Sequence, residues 1–280
     1  MSLFIIILLA IIQGFLEWIP VSSEAFLMII MALLQYPLTY SFELAILLHI
    51  STATAALIYY RRKLWKSLRN ARIIHINSDP LTRYIFWSTI FTGITGVPLY
   101  YLIKSLFSAM EKELLIGILL LFILIGIAMI VTATVISFAQ RVHGNRKVES
   151  LHFRDYLLIG VLQGLAIIPG VSRSGITISV LLLYSRVDSK EAVDLSFMLS
   201  IPTIYLATLF ELLAGSIKRP LITLSLQTFL LLVLTFLMAL LGIRVMTKLA
   251  SKVPFHIFLK VFGFMMLLLN ASILIGFLLM

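Results

Sequence analysis

The sequence predicts an all-α integral membrane protein, with six transmembrane helices plus two re-entrant helix hairpins related as an inverted repeat. Three observations predict it. The first is composition: 61% of the 280 residues are apolar and only 12% are charged, with a mean hydropathy of +1.10. A soluble domain carries roughly 25% charged residues, and a surface this poor in charge is not held in water. The second is a set of six apolar stretches, near 43–60, 84–103, 114–138, 193–214, 222–243 and 257–279, each long enough for the ~20 residues that cross a hydrocarbon core. The third is a pair of further long stretches, 3–34 and 157–184, that are broken in the middle.

The first stretch starts the chain without a leader pattern. No Lys or Arg precedes the apolar run and no small-residue cleavage site ends it, so the run is expected to stay in the mature protein. It breaks at Gln13-Gly14-Phe15-Leu16-Glu17-Trp18-Ile19-Pro20-Val21-Ser22-Ser23-Glu24. The second breaks at Gln163-Gly164-Leu165-Ala166-Ile167-Ile168-Pro169-Gly170-Val171-Ser172-Arg173-Ser174-Gly175. Pro, Gly and Ser stop helices, and Glu and Arg are costly in lipid. Irregular backbone at membrane depth survives only inside protein or beside a watery cavity. Both breaks read Gln-Gly, a few apolar residues, Pro, then serines, 150 residues apart. Matching breaks in two halves predict one membrane domain over 1–280, with repeats at about 1–140 and 150–280 and the site at their interface.

Charge sets the sidedness. Segments 61–83, 141–154, 186–190 and 244–260 hold seventeen of the 22 basic residues, while Lys104, Lys112, Lys218 and Arg219 fall on the other side. By the positive-inside rule the side with seventeen is cytoplasmic. That holds only if 157–184 leaves the membrane on the side it entered. By the repeat, 3–34 does the same from the outside, and the two tips meet within the bilayer. The net charge of +10 is then explained by basic cytoplasmic loops and anionic headgroups, and no nucleic-acid partner is expected. The absence of cysteine excludes disulfides, thiolate nucleophiles and cysteine-ligated metals. The five histidines show no H-E-x-x-H spacing.

The tips carry the chemistry. At 169–175, Pro169 and Gly170 turn the chain, Ser172 or Ser174 can cap a new half-helix, and its free N–H groups form an anion site. Arg173 adds a permanent charge in fork geometry suited to phosphate, and Ser172, Ser174 and Thr177 offer hydroxyls. The plainer reading is that small residues let helices pack while Arg173 pairs with a buried acid. At the first tip Ser22 and Ser23 can cap likewise, and Gln13 and Glu17, four apart, share a helix face. Glu17 needs a partner: Arg173, a divalent cation or a proton. Carboxylate, serines and arginine together suggest phosphoryl chemistry, with a serine as nucleophile or water activator, Glu17 as base or metal ligand and Arg173 as stabiliser. Elsewhere, Glu43 and His49 lie on different faces of one helix, and His49 reads as a packing residue. Glu211, near a helix end, reads as wetted. Asp188, Glu191 and Asp194 read as accompanying a helix start.

These motifs, with Phe42-Glu43 leading to Leu48-His49 and Ser196-Phe197-Met198-Leu199-Ser200-Ile201-Pro202, resemble the undecaprenyl-diphosphatase family, also called bacitracin-resistance proteins, over nearly the whole chain. The resemblance implies a hydrolase that removes the terminal phosphate of a polyprenyl diphosphate at the outer face of the plasma membrane, recycling a lipid carrier for cell-envelope glycan assembly. It also implies dependence on a divalent cation, Mg2+ or Ca2+. Carried over, Ser23 is the candidate nucleophile, with Glu17 and Arg173 as its catalytic companions. Glu17 and Gln13 occupy the family's acidic motif and are candidate metal ligands. Ser22, Ser172, Arg173, Ser174 and Thr177 are candidate phosphate binders. The expected partners are the lipid, the bilayer and a second copy of the chain. One departure stands out. After the serine pair the family continues with a small residue, Gly, His and Leu, whereas here Glu24, Ala25, Phe26 and Leu27 follow. The family's histidine falls on Phe26, and Glu24 is a candidate substitute acid or base. Two other functions fit the inverted repeat: a non-hydrolytic lipid-phosphate flippase and an ion-coupled transporter of a small anion.

Overall fold

The computed structural model describes residues 3–71, 79–110, 114–142, 144–213, 226–249 and 255–278. Lys112, Lys218 and Arg219, expected on the outer side, lie outside the described residues, as do Arg72 and Lys252. Among the described residues ten α-helices run in order: α1 Leu3–Leu16, α2 Ser23–Leu33, α3 Leu38–Asn70, α4 Pro80–Met110, α5 Leu114–Ala139, α6 Phe153–Gly164, α7 Arg173–Leu183, α8 Ser189–Leu213, α9 Leu226–Leu249 and α10 Phe255–Leu278. Short 3-10 turns cover Val148–Ser150 and Leu165–Ile167. Among the described residues the extended pairing is a single bridge between Arg146 and Val187. Among the described residues five helices are long and apolar enough to cross a membrane, and they match five of the six expected stretches. The sixth stretch is helical as α10.

Both broken stretches are broken where the sequence indicates. α1 stops at Leu16 and α2 starts at Ser23, because Pro20 donates no N–H and Ser22 is the N-cap, its hydroxyl accepting from the Ala25 N–H at 3.3 Å. α6 runs into a 3-10 turn, and α7 starts after Ser172, which accepts from the Gly175 N–H at 3.1 Å. Between them Gly170 has a φ of +98° and lies against Ile125 and Ala128 of α5, where a Cβ has no room.

The two Gln-Gly pairs have a packing reason. Gly14 brings α1 onto Thr235, Met238 and Ala239 of α9, and Gly164 brings α6 onto Thr92, Thr95 and Gly96 of α4. A side chain at either glycine would push these helices apart. α1 packs on α9 as α6 packs on α4, α2 packs on α3 as α7 on α8, and α3 on α8 and α5 on α10 join the two sets.

The basic segments are held together at one end of the bundle. The Arg146 backbone pairs with Arg186 and Asp188, and its guanidinium reaches the Ser185 carbonyl at 2.9 Å. Lys63 pairs with Asp194 at 3.1 Å, and Tyr60 donates to the same carboxylate at 2.8 Å. Arg83 donates to the Tyr156 hydroxyl at 3.1 Å. Asp188 caps α8 by accepting from the Lys190 and Glu191 N–H groups, as expected for acids at a helix start.

Candidate active site

The two tips are bonded to each other. The Gly170 N–H donates to Ser22 Oγ at 3.2 Å, and Ser174 Oγ donates to the Ile19 carbonyl at 3.2 Å. The N-termini of α2 and α7 are thereby fixed beside one another within the protein. Helix N-termini carry free N–H groups and partial positive charge, so two of them converging make a place for an anion.

Glu17, just past the end of α1, is the hub. Its Oε1 accepts from Arg173 Nη2 at 2.7 Å. Its Oε2 accepts from Ser23 Oγ at 2.6 Å and from Gln13 Nε2 at 3.0 Å. His49 Nε2 stands 3.2 Å from the same oxygen. The i, i+4 spacing of Gln13 and Glu17 does what it predicts, with the amide holding the carboxylate from the preceding turn. The alternatives left open for Arg173 and Glu17 meet in one arrangement: they pair with each other, and both face a cavity.

That cavity has a volume of about 230 Å³. Its polar wall includes Glu17, Ser22, Ser23, Glu24, Arg173 and Ser174, together with His49. The remaining candidates lie behind it. Ser172 is turned to its capping bond and to Ser174. Thr177 donates to the Arg173 carbonyl at 2.7 Å and contacts Ser196 Oγ at 2.5 Å. Gln13 is fully buried, reaching the cavity only through Glu17.

Two readings need correction. His49 is not a mere packing residue. Its Nδ1 lies 2.5 Å from the Ala45 carbonyl and its Nε2 faces Glu17, so each ring nitrogen meets an oxygen acceptor. Sequence spacing could not find this, because the partner belongs to another helix. Glu211 is not wetted but 1% exposed. It lies within electrostatic reach of Glu43 and Lys104, and Lys104 Nζ donates to Glu43 at 3.1 Å and to the Tyr100 hydroxyl at 3.0 Å. Tyr100 and Glu211 line the same cavity, at the end of α4 and α8 away from the basic segments. Phe26, where the resembled family has histidine, packs on Phe262 with ring centroids 4.4 Å apart.

For a divalent cation the donors are hard oxygens. Glu17 and Glu24 both line the cavity, and Glu24 Oε1 is buried without a hydrogen-bond partner among the described residues. No three carboxylate, imidazole or thiol groups gather as a ready-made metal site among them. One or two carboxylates, completed by phosphate and water, is how Mg2+ is usually held, so the donor set fits such an ion. Chemically, the site pairs a hydroxyl with a carboxylate that can accept its proton. An arginine and two helix N-termini beside it are donors of the kind that suit an oxyanion.

The fold and site together define an all-helical, multi-pass membrane protein with a buried, anion-directed carboxylate–serine–arginine centre. The chain belongs to the family described as Bacitracin resistance protein BacA, whose model matches residues 6–269. It is similar to the undecaprenyl-diphosphatase of Methanothrix thermoacetophila, at 34% identity over 95% of this chain and 96% of that one. Those of Haloarcula marismortui, over 92% and 93%, and Methanococcoides burtonii, over 90% and 92%, are likewise 34% identical.

Proposed function

We propose that the protein is a polyprenyl-diphosphate phosphatase that cleaves the terminal phosphate from an undecaprenyl-type lipid carrier. The observation that carries this reading is the 2.6 Å bond from Ser23 to Glu17, with Arg173 on the other carboxylate oxygen. The terminal phosphate binds between the N-termini of α2 and α7, on Arg173 and the Ser22 hydroxyl, whose proton is free, while Ser174 holds the tips together through the Ile19 carbonyl. Ser172 and Thr177 support this set by capping and bracing α7. Ser23 Oγ attacks the terminal phosphorus as its proton passes to Glu17, and the bridging P–O bond breaks. Polyprenyl phosphate leaves, and water then attacks the phosphoserine, returning the proton to Ser23 and releasing inorganic phosphate. His49 offers an N–H beside Glu17 to the developing charge.

A divalent cation would be held by Glu17 and Glu24, and when bound it neutralises charge on the diphosphate. Gln13 orients Glu17 from behind. The flippase alternative fits the same inverted repeat; the Ser23 hydroxyl bonded to the Glu17 carboxylate is what favours hydrolysis over it.

The topology proposed is six spanning helices with α1–α2 and α6–α7 as re-entrant hairpins, in repeats over about 1–140 and 150–280 of one domain. Support comes from the matched packing of α1 on α9 and α6 on α4, and from the contact of Arg146 with 186–188, which puts the start of α6 and the end of α7 at the same end of the bundle. The cavity reaches Tyr100 and Glu211, away from the basic end. By the positive-inside rule, the site then opens to the extracytoplasmic side of the plasma membrane.

The test is phosphate release by purified protein from a C55 polyprenyl diphosphate with Mg2+ or Ca2+, against EDTA and Arg173→Ala controls. Cation-dependent release lost in the variant supports the reading. Tight lipid binding without release would turn it to a carrier.

A further inference from the structure

Away from the tips the cavity continues along α4. Thr89, Thr92, Gly93, Gly96, Val97 and Tyr100 all line it, and their spacing is that of one helix face. From Thr89 to Tyr100 this face is roughly 16 Å long at 1.5 Å per residue. The opposite wall is α8, through Ile204, Leu206, Ala207 and Phe210. The wall is apolar even where threonines stand, because their hydroxyls are spent on their own helices. Thr89 donates to the Ile85 carbonyl, Thr92 to Ser88, Thr203 to Leu199 and Thr208 to Ile204. Gly93, Val97 and Leu206 line the cavity and are themselves exposed, so this stretch of it between α4 and α8 is open rather than sealed.

Gly93 is unusual among the glycines. Gly14, Gly160 and Gly164 each sit where another helix presses on the Cα, and a Cβ there would collide; a Cβ at Gly93 would meet no atom within 4 Å. Glycine in a helix interior is less favourable than alanine, and packing gives no reason for it here. Space left open on a cavity wall is space for a ligand.

We infer that the slot between α4 and α8, floored by Gly93 and Gly96, holds the first isoprene units of the prenyl chain, and that Gly93 sets how well a long chain is accepted. The chemistry of the ligand rests on the phosphatase reading; the slot and its opening do not. A diphosphate seated at the tips then has an apolar exit for its tail that never crosses the polar Glu43–Lys104 cluster.

The test uses the full chain in detergent and compares affinity for a C55 polyprenyl phosphate with affinity for dimethylallyl phosphate, which shares the headgroup but has one isoprene unit. In Gly93→Leu the ratio of the two affinities is expected to fall about tenfold or more, since the side chain fills apolar space the tail would bury. In Gly93→Ala, whose methyl group meets no neighbour and so cannot block folding, the fall is about two- to threefold. Ile94→Leu, on the lipid-facing side, keeps the wild-type ratio. A ratio in both Gly93 variants equal to wild type would overturn the inference. Hydrolysis is scored separately: a wild-type protein that binds long chains through Gly93 but releases no phosphate would end the phosphatase reading and leave the slot standing.

Discussion

His49 Nε2 lies 3.2 Å from Glu17 Oε2, although the two residues are 32 apart and on different elements. That oxygen already accepts the Ser23 hydroxyl. An imidazole from α3 has therefore reached the hydroxyl–carboxylate pair that the tip of the first hairpin builds by itself. If His49 serves the reaction, His49→Gln, which keeps one N–H donor but cannot carry a proton, should lower kcat for phosphate release about 10²–10⁴-fold with little change in KM. Phe26→Leu, which alters packing against Phe262 and the cluster around it, should stay within about threefold of wild type. Equal losses in the two variants would remove His49 from the chemistry.

The Glu17–Arg173 pair is nearly out of water, with side-chain exposures of 4% and 15%. Breaking a buried pair leaves an uncompensated charge and costs about 3–5 kcal/mol. Arg173→Ala should therefore lower the unfolding midpoint clearly. Glu17→Gln/Arg173→Ala should be more stable than the sum of its single variants. On the proposed mechanism activity should be absent in all three, since it takes Arg173 as the phosphate's guanidinium and Glu17 as the base for Ser23. Additive losses of stability would mean that the two residues do not form the pair in the membrane.

The breaks in the two long stretches were legible in the sequence because their signals are local. Pro20 and Pro169 stop helices, Ser22 and Ser172 start them, and a charge beside each demands a protected setting. The helix-face argument also separated Glu43 from His49 correctly, since one meets Lys104 and the other Glu17. What a helical period does not tell is which neighbour each face meets. That is why His49 read as packing and Glu211 as wetted: their partners, Glu17 for the first and the Glu43–Lys104 pair for the second, come from distant parts of the chain.

Gly170 is expected to accept no side chain. Its φ of +98° suits glycine, and a Cβ would lie 2.8 Å from the Ile125 carbonyl oxygen. Gly170→Ala should destabilise by about 1–3 kcal/mol and weaken phosphate release, because the Gly170 N–H is what ties the second tip to Ser22. Ser22→Ala removes that bond and the α2 cap together, for about 1–2 kcal/mol. The unfolding midpoint in detergent checks both, and an unchanged Gly170→Ala protein would mean that the tip adopts another backbone.

Glu24 should govern cation affinity if the divalent ion sits at the cavity wall. Glu24→Gln removes one hard, charged donor while leaving Ser23 and Glu17 in contact. The cation concentration for half-maximal phosphate release should rise about tenfold or more, with kcat at saturating cation changed far less. An unaltered cation requirement would take Glu24 out of the ion's coordination.

Lys104 is the counter-charge for two buried carboxylates. It bonds to Glu43, whose side chain is 3% exposed, and attracts Glu211. Without it, two acids are left facing each other in low dielectric. The Lys104 side chain is itself 26% exposed, so water screens part of the pair, and Lys104→Met should cost about 1–3 kcal/mol, less than a sealed pair. Replacing one acid as well relieves the repulsion, so Glu43→Gln/Lys104→Met should recover most of the loss. A double variant as unstable as Lys104→Met alone would mean that packing of the lysine stem along Tyr100, not charge, is what the cluster contributes.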